Sequence, residues 1–271
     1  MRLGFGLGLQ YSKLSGGRFE GLLNKFPGAS LGLSLYKLDK NYTGSAIKVR
    51  RSSDNDELDI GFVDGILDTA SLLDFVGSGN GFVSIIYDQV ESNNMTQTTA
   101  NLQGQIVDNG SVILKGGKPC IIRSANNDGG YLSAYAPNDG VAVKGMFYVG
   151  DNEGKQSGLG GSDTGKQDQF FMCSENSSSN VDNNLIPTLT NLNGVTKSFG
   201  TREEVFDQTN LQFLLYREIE FNFDNNVLGL GFRAINPSDF GMMTFQELVI
   251  FENTNDAVAK ENNINSRYNI Y

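Results

Sequence analysis

Glycine and asparagine, at 33 and 29 of the 271 residues, make up more than a fifth of the chain, whereas proline contributes only 5. Both residue types enter tight turns easily and interrupt helices, so short strands joined by turns are the expected product. A hydrophobic share of 39%, with 18 Phe and 10 Tyr, is enough for a real core and rules out disorder of the whole chain. At this length one large β sandwich or barrel fills the chain, with roughly 70% of the unfolded surface buried.

Strands are expected at 46–50, 81–87, 141–149 and 243–251, and a hairpin of 211–221 with 227–232 turning at Asp224-Asn225-Asn226. Asp68 is placed to cap a helix over 69–76 that ends at Gly77, and Asn255 a second one reaching about Tyr268 with Ala257, Ile264 and Tyr268 on one face. Residues 19–26 suit a short helix or turn. The stretch 151–184 reads as long polar loops around one strand at 169–173. No repeat of 20–50 residues is visible, which excludes a propeller or solenoid.

The opening alternates strictly: Leu3, Phe5, Leu7 and Leu9 share one side of an extended strand, and Gly4, Gly6 and Gly8 the other. It reads as the domain's own first strand, as an arm that docks on a partner or sister subunit, or as a disordered tail, with Ser15-Gly16-Gly17 as a hinge. The expected division is an arm over 1–28 and a single domain over 29–271. No apolar run reaches a membrane-spanning length, and no signal peptide is expected.

The absence of histidine excludes Ser-His-Asp and Cys-His nucleophile systems and His-ligated metals. A net charge of −10 disfavours nucleic acid and anionic membranes as partners. Cys120 and Cys173 match no metal spacing and are expected to be buried thiols rather than a disulfide. Asp54-Asn55-Asp56-Glu57 and Asp151-Asn152-Glu153 carry oxygen ligands suited to Ca²⁺, but neither fits an EF-hand loop, so no metal site and no cofactor are expected.

Four motifs follow one another: Tyr42-Thr43-Gly44, Arg51-Ser52-Ser53-Asp54, Asp59-Ile60-Gly61 and Tyr87-Asp88-Gln89. In this order they resemble a module of tailed-phage and prophage virion proteins, itself similar to the catalytic domain of fungal α-L-arabinofuranosidase B. The resemblance covers residues 29–123 and returns weakly at 245–251 and 264–271. It implies an all-β, concanavalin A-like (LamG-like) jelly-roll sandwich with a short N-terminal arm and a C-terminal helix. It further implies a virion component, a tail fibre, spike or head fibre, that binds host-surface glycan. Such a protein joins other virion proteins through Leu3, Phe5, Leu7 and Leu9, and symmetric closure would make it a homotrimer. The alternatives are an arabinofuranosidase-like depolymerase on the same fold and a purely structural capsid or tail piece.

In the hydrolases of this resemblance, the acid follows a Leu-Gly-x-Gly strand. Here Leu228-Gly229-Leu230-Gly231 leads to Phe232-Arg233, with no carboxylate before Asp239. The nearest counterpart of the nucleophile is Asp151-Asn152-Glu153. The expectation is therefore no enzyme and no catalytic residue. Tyr131, Tyr135, Tyr148, Asp151 and Glu153, with Phe147, are candidates for touching a sugar. Arg50 and Arg51 point to opposite faces of a strand and are expected to form a structural network with Asp54, Asp59 and Asp88, the ligand clamp being the alternative. Tyr87-Asp88-Gln89 is expected to tie down the following loop, with ligand contact as the rival role.

Overall fold

The computed structural model describes residues 19–122, 131–133, 135, 143–152, 157–163, 166–174, 176–180, 182–183, 189–209, 211–219, 227–230 and 244–271. The first half runs α1 (Leu22–Lys25), β1 (Ala29–Ser34), β2 (Ile47–Arg51), β3 (Glu57–Ile60), β4 (Phe62–Val63), β5 (Ile66–Leu67), α2 (Thr69–Val76), β6 (Gly81–Ile86), β7 (Met95–Thr96), β8 (Gly104–Asp108), β9 (Ser111–Val112), β10 (Leu114–Lys115), β11 (Lys118–Pro119) and β12 (Tyr131–Ser133). The second half runs β13 (Lys144–Gly150), β14 (Ser157–Asp163), β15 (Lys166–Cys173), β16 (Asp182–Asn183), β17 (Leu189–Leu192), β18 (Val195–Thr196), α3 (Arg202–Gln208), β19 (Phe213–Ile219), β20 (Val227–Leu230), β21 (Glu247–Phe251) and α4 (Ala257–Tyr268).

The strands form a six-stranded sheet, β1-β21-β13-β19-β17-β18, and an eleven-stranded sheet, β16-β15-β14-β20-β12-β7-β6-β2-β3 with β8 and β9 added at β6. Pairing within both is antiparallel, as in β13 against β19 from Lys144↔Ile219 to Gly150↔Phe213. The chain is thus the expected β-rich jelly-roll sandwich with a C-terminal helix. The arm residues Leu3, Phe5, Leu7 and Leu9 lie outside the described residues. Among the described residues, no helix is long and apolar enough to cross a membrane.

Burial explains why some strands read as unbroken apolar runs and others alternate. Met146 and Tyr148 of β13, Phe213 and Leu215 of β19, and Leu248 and Ile250 of β21 point into the space between the sheets. Their neighbours Phe147, Val149, Leu214, Tyr216, Val249 and Phe251 form a second core under α1 and α4, with Leu22, Ile264 and Tyr268. The six-stranded sheet is therefore a middle layer buried on both faces, which requires apolar residues at consecutive positions. In β2, by contrast, Ile47 and Val49 join the inter-sheet core while Lys48 and Arg50 stay partly exposed, giving the period of two.

Turn chemistry sets the strand register. Asp64-Gly65, Asn109-Gly110, Gly116-Gly117 and Asn193-Gly194 each pair Gly with Asp, Asn or a second Gly, and both residues of every pair have positive φ. These are the residues that two-residue hairpin loops demand. The Asp68 side chain accepts the Ser71 N–H at the start of α2, as expected, and Gly77 ends the helix. At α4 the predicted Asn255 cap is replaced by Asp256 in the left-handed region, with no side-chain cap bond.

Two expectations are corrected. Residues 157–163 are a strand, not loop: β14 pairs with β15 on one side and β20 on the other. Its glycines hide the strand signal, and pairing on both edges with Leu159 in the core overrides their poor propensity. Second, β19 and β20 do not form a hairpin. β19 pairs with β13 and β17, whereas β20 pairs with β12 and β14 in the other sheet. Alternation marks both as strands but is blind to a crossing between layers.

The Glu261 side chain on α4 is buried, with one oxygen accepting from Asn191 Nδ2 at 2.9 Å and the other, Oε1, without a hydrogen-bond partner. Burial pushes its carboxyl above the ordinary glutamate range, partly offset by the Asn191 bond. A raised folded-state pKa gives stability that is complete below the unfolded-state value and lost as pH rises through the folded one. Glu261→Gln should therefore raise Tm at about pH 8 by about 2–4 °C, near 1 kcal/mol, with the gain vanishing at about pH 4. A gain independent of pH in thermal melts would contradict this assignment.

Candidate functional site

The motif residues hold the scaffold together. Arg51, the last residue of β2, chelates Asp54 through Nε and Nη2 at 2.8 and 2.6 Å, reaches Asp56 at 3.1 Å and lies over the Phe75 ring. That pairing holds the Asp54 carboxyl at about 2, below the usual range. Arg50 departs from the expected carboxylate network. It points to the other face, stacks on Phe82, and donates to Gln103 Oε1, Asn55 Oδ1 and the Ala100 carbonyl. Asp59 likewise meets Tyr87 and Lys48 rather than an arginine, because it is the register partner of Lys48 on the exposed face.

Among the described residues, no arginine pairs with Asp88 either. Its buried carboxylate accepts four backbone N–H groups: Gly32 and Val90 on Oδ1 at 2.9 and 3.0 Å, Glu91 and Asn93 on Oδ2 at 3.1 and 3.2 Å. Gln89 takes the Leu38 N–H on Oε1 and donates Nε2 to the Ser34 and Tyr36 carbonyls. The loop-tying role expected of Tyr87-Asp88-Gln89 is the one observed, and it fills the acceptor positions that a ligand would need.

The tyrosines proposed to stack on sugar are corrected to core residues. Tyr131 is fully buried, donating to the Val83 carbonyl at 2.7 Å and accepting the Gly104 N–H at 2.8 Å. Tyr148 is fully buried and donates to the Thr244 carbonyl, and Tyr135 shares a hydrogen bond with Ser30 Oγ. Phe147 stacks on Tyr216 beneath α4. Each hydroxyl finds a partner inside, which is what permits a tyrosine to be buried, and no face is left for a ligand.

The chain just after β13 is held from several directions. Asp151 is 2% exposed; its Oδ2 pairs with Lys115 Nζ at 2.9 Å, and its N–H donates to Thr244 Oγ1 at 2.7 Å. Gln246 positions that lysine by donating Nε2 to the Lys115, Lys118 and Pro119 carbonyls, which fixes the β10–β11 hairpin. Asn152, also buried, donates Nδ2 to the Phe206 carbonyl and Thr209 Oγ1 at the end of α3. Immediately before them, a Cβ on Gly150 would come within 2.0 Å of the Thr244 carbonyl. Burial and ion pairing thus make Asp151 an anchor, correcting its role as a ligand contact. Its neighbour Glu153 lies outside the described residues, as does Arg233. Cys120 and Cys173 are both buried thiols. Among the described residues, no group of three acidic or thiol side chains is gathered to hold a metal ion.

The partners Lys115, Thr209, Thr244 and Gln246 were not singled out from sequence, because their contacts cross the chain at long range. Two outcomes follow. Asp88→Ala leaves four N–H groups without their acceptor and should cost about 3 kcal/mol or more in denaturant unfolding; an effect below about 1 kcal/mol would show the carboxylate to be dispensable. Lys115→Ala removes one ion pair of the buried Asp151 carboxylate and should cost about 1–2 kcal/mol in the same measurement, because this lysine is partly exposed.

No protein-family model and no curated protein matches the chain. Among solved structures, an arabinofuranosidase complexed with arabinofuranosyl-α-1,2-xylobiose is similar with a TM-score of 0.60 at 16% identity, over 90% of this chain and 64% of that one. A GH54 α-L-arabinofuranosidase soaked with a cyclic sulfate inhibitor is matched at a TM-score of 0.47 and 16% identity, over 86% of this chain and 62% of that one. The chain spans less than two thirds of the length of either, and the first likeness shows a shared fold. The expectation that the chain is no enzyme is withdrawn on this likeness, because the fold matched over 90% of this chain is one that a glycosidase uses. The virion, tail-fibre and spike reading is withdrawn on the same finding: the structural likeness runs to a glycosidase.

Proposed function

We propose that the chain is a carbohydrate-active protein that acts on arabinofuranosyl groups of a glycan by glycosidic-bond hydrolysis. The observation that supports this is the fold likeness to the arabinofuranosidase, at a TM-score of 0.60 across 90% of the chain. A chain without histidine must run such chemistry on carboxylates, and hydrolysis with retention needs two carboxyl groups about 5 Å apart, one as nucleophile and one as acid. Glu153 is the carboxylate assigned as nucleophile: it directly follows Asp151 and Asn152, whose side chains clamp the backbone at the end of β13. Asp239, the first carboxylate after the β20 strand in sequence, is assigned as acid.

Wild-type protein should release nitrophenol from 4-nitrophenyl α-L-arabinofuranoside and arabinose from arabinoxylan oligosaccharides. Glu153→Gln and Asp239→Asn should each lower kcat about a thousandfold with the melting temperature unchanged. No release from either substrate overturns the reading, and release that survives both substitutions overturns the assignment of these two carboxylates.

A further inference from the structure

Between the segment that follows β1 and the β4–β5 hairpin lies a cavity of about 280 Å³, lined by Phe19, Lys37, Lys40, Asn41, Phe62 and Asp64. Its residues are distinct from those that anchor the end of β13. Two aromatic rings form part of the wall. The Phe19 ring lies against Gly65, where a Cβ would come within 2.2 Å of the ring and φ is +82°. Phe62 meets Tyr42 edge-on, with centroids 6.3 Å apart.

The backbone beneath is tied at several points. The Gly65 carbonyl accepts the Lys37 N–H at 2.9 Å. Asn24 Oδ1 accepts the Lys40 N–H, and Asp39 Oδ1 accepts both Asn24 Nδ2 and the Asn41 N–H. The side chains above this frame are, in contrast, unspent. Lys37 Nζ, Lys40 Nζ, the Asn41 amide and the Asp64 carboxylate make no hydrogen bond or ion pair to another described residue.

The chemistry of such a wall is specific. Two ammonium groups and an amide offer donors, a carboxylate and the amide oxygen offer acceptors, and the rings offer apolar faces. A sugar ring presents the complement, with hydroxyls around its edge and C–H groups on its faces. The lining carries two ammonium groups and one carboxylate, and the adjoining Asp39, which interacts electrostatically with both lysines, offsets the remaining positive charge, so little net charge is left to select an anion. We infer that this cavity binds one neutral sugar unit of a glycan chain, as a holding site apart from the place of cleavage. The class of ligand rests on the proposed carbohydrate activity, while the site itself stands on its own residues.

The test uses the full chain and two probes: insoluble arabinoxylan for binding, and 4-nitrophenyl α-L-arabinofuranoside for cleavage. The double variant Lys40→Ala, Asn41→Ala removes exposed side chains from the tied loop, and Phe19→Ala removes one ring. Each should weaken binding to arabinoxylan at least about tenfold, the loss of one or two hydrogen bonds or a stacked face, with nitrophenol release unchanged. Wild-type affinity retained in the double variant overturns the inference, as does a wild type that does not bind arabinoxylan. Cleavage that persists while the variants bind normally removes the holding site alone. Binding that depends on the cavity in a protein that cleaves neither substrate removes the hydrolase reading alone.

Discussion

One buried carboxylate, Asp88, ties an edge of one sheet to the other. Asp88 leaves β6 of the large sheet and accepts the Gly32 N–H of β1, the edge strand of the other sheet, while its second oxygen closes the turn over 91–93. Gln89 continues along the same edge, giving its N–H to the Gly32 carbonyl and its amide to groups from Ser34 to Leu38. A buried carboxylate is tolerated only when its acceptor sites are filled, and here backbone donors fill them without a cation. The same bonds cover the outer edge of β1, which would otherwise present open pairing groups to a second chain.

With the sheets joined there, the remaining layers follow. The six-stranded sheet carries apolar side chains on both faces and therefore needs a cover on its outer one, which α4 supplies through Ile264 and Tyr268. Polar groups set the position of that helix: buried Glu247 of β21 accepts from Ser34 Oγ and from the Tyr268 hydroxyl and pairs with Arg267. At the far end of β13, Lys115, Thr244 and Thr209 each arrive from a different part of the chain to fix Asp151 and Asn152.

What the sequence discloses is local. Asp68 before 69–76, the alternation in β2 and the unbroken apolar run of β13 each carry their structure in a few neighbouring residues. Thr201 and Glu204 form a reciprocal cap, and the Thr-x-x-Glu spacing that makes it is a local signal for the start of α3. The site was less legible for a different reason. A buried tyrosine and one that stacks on a ligand have the same sequence signature, and only the carbonyls of Val83 and Thr244 decide between them. The pleat places adjacent Arg50 and Arg51 on opposite faces in the sequence, but it does not say that Arg51 meets Asp54 while Arg50 meets Gln103. The crossing of the chain from β19 to β20 between sheets is likewise a property of layers, which no window of residues records.

The measurement that bears most directly on this account is native-state hydrogen exchange at the four amides held by Asp88. If this carboxylate joins the sheets, the amides of Gly32, Val90, Glu91 and Asn93 exchange only through global unfolding, as slowly as those in the middle of β13 and β19. Exchange of Val90, Glu91 and Asn93 at the rate of open loops, with β13 still protected, would contradict it.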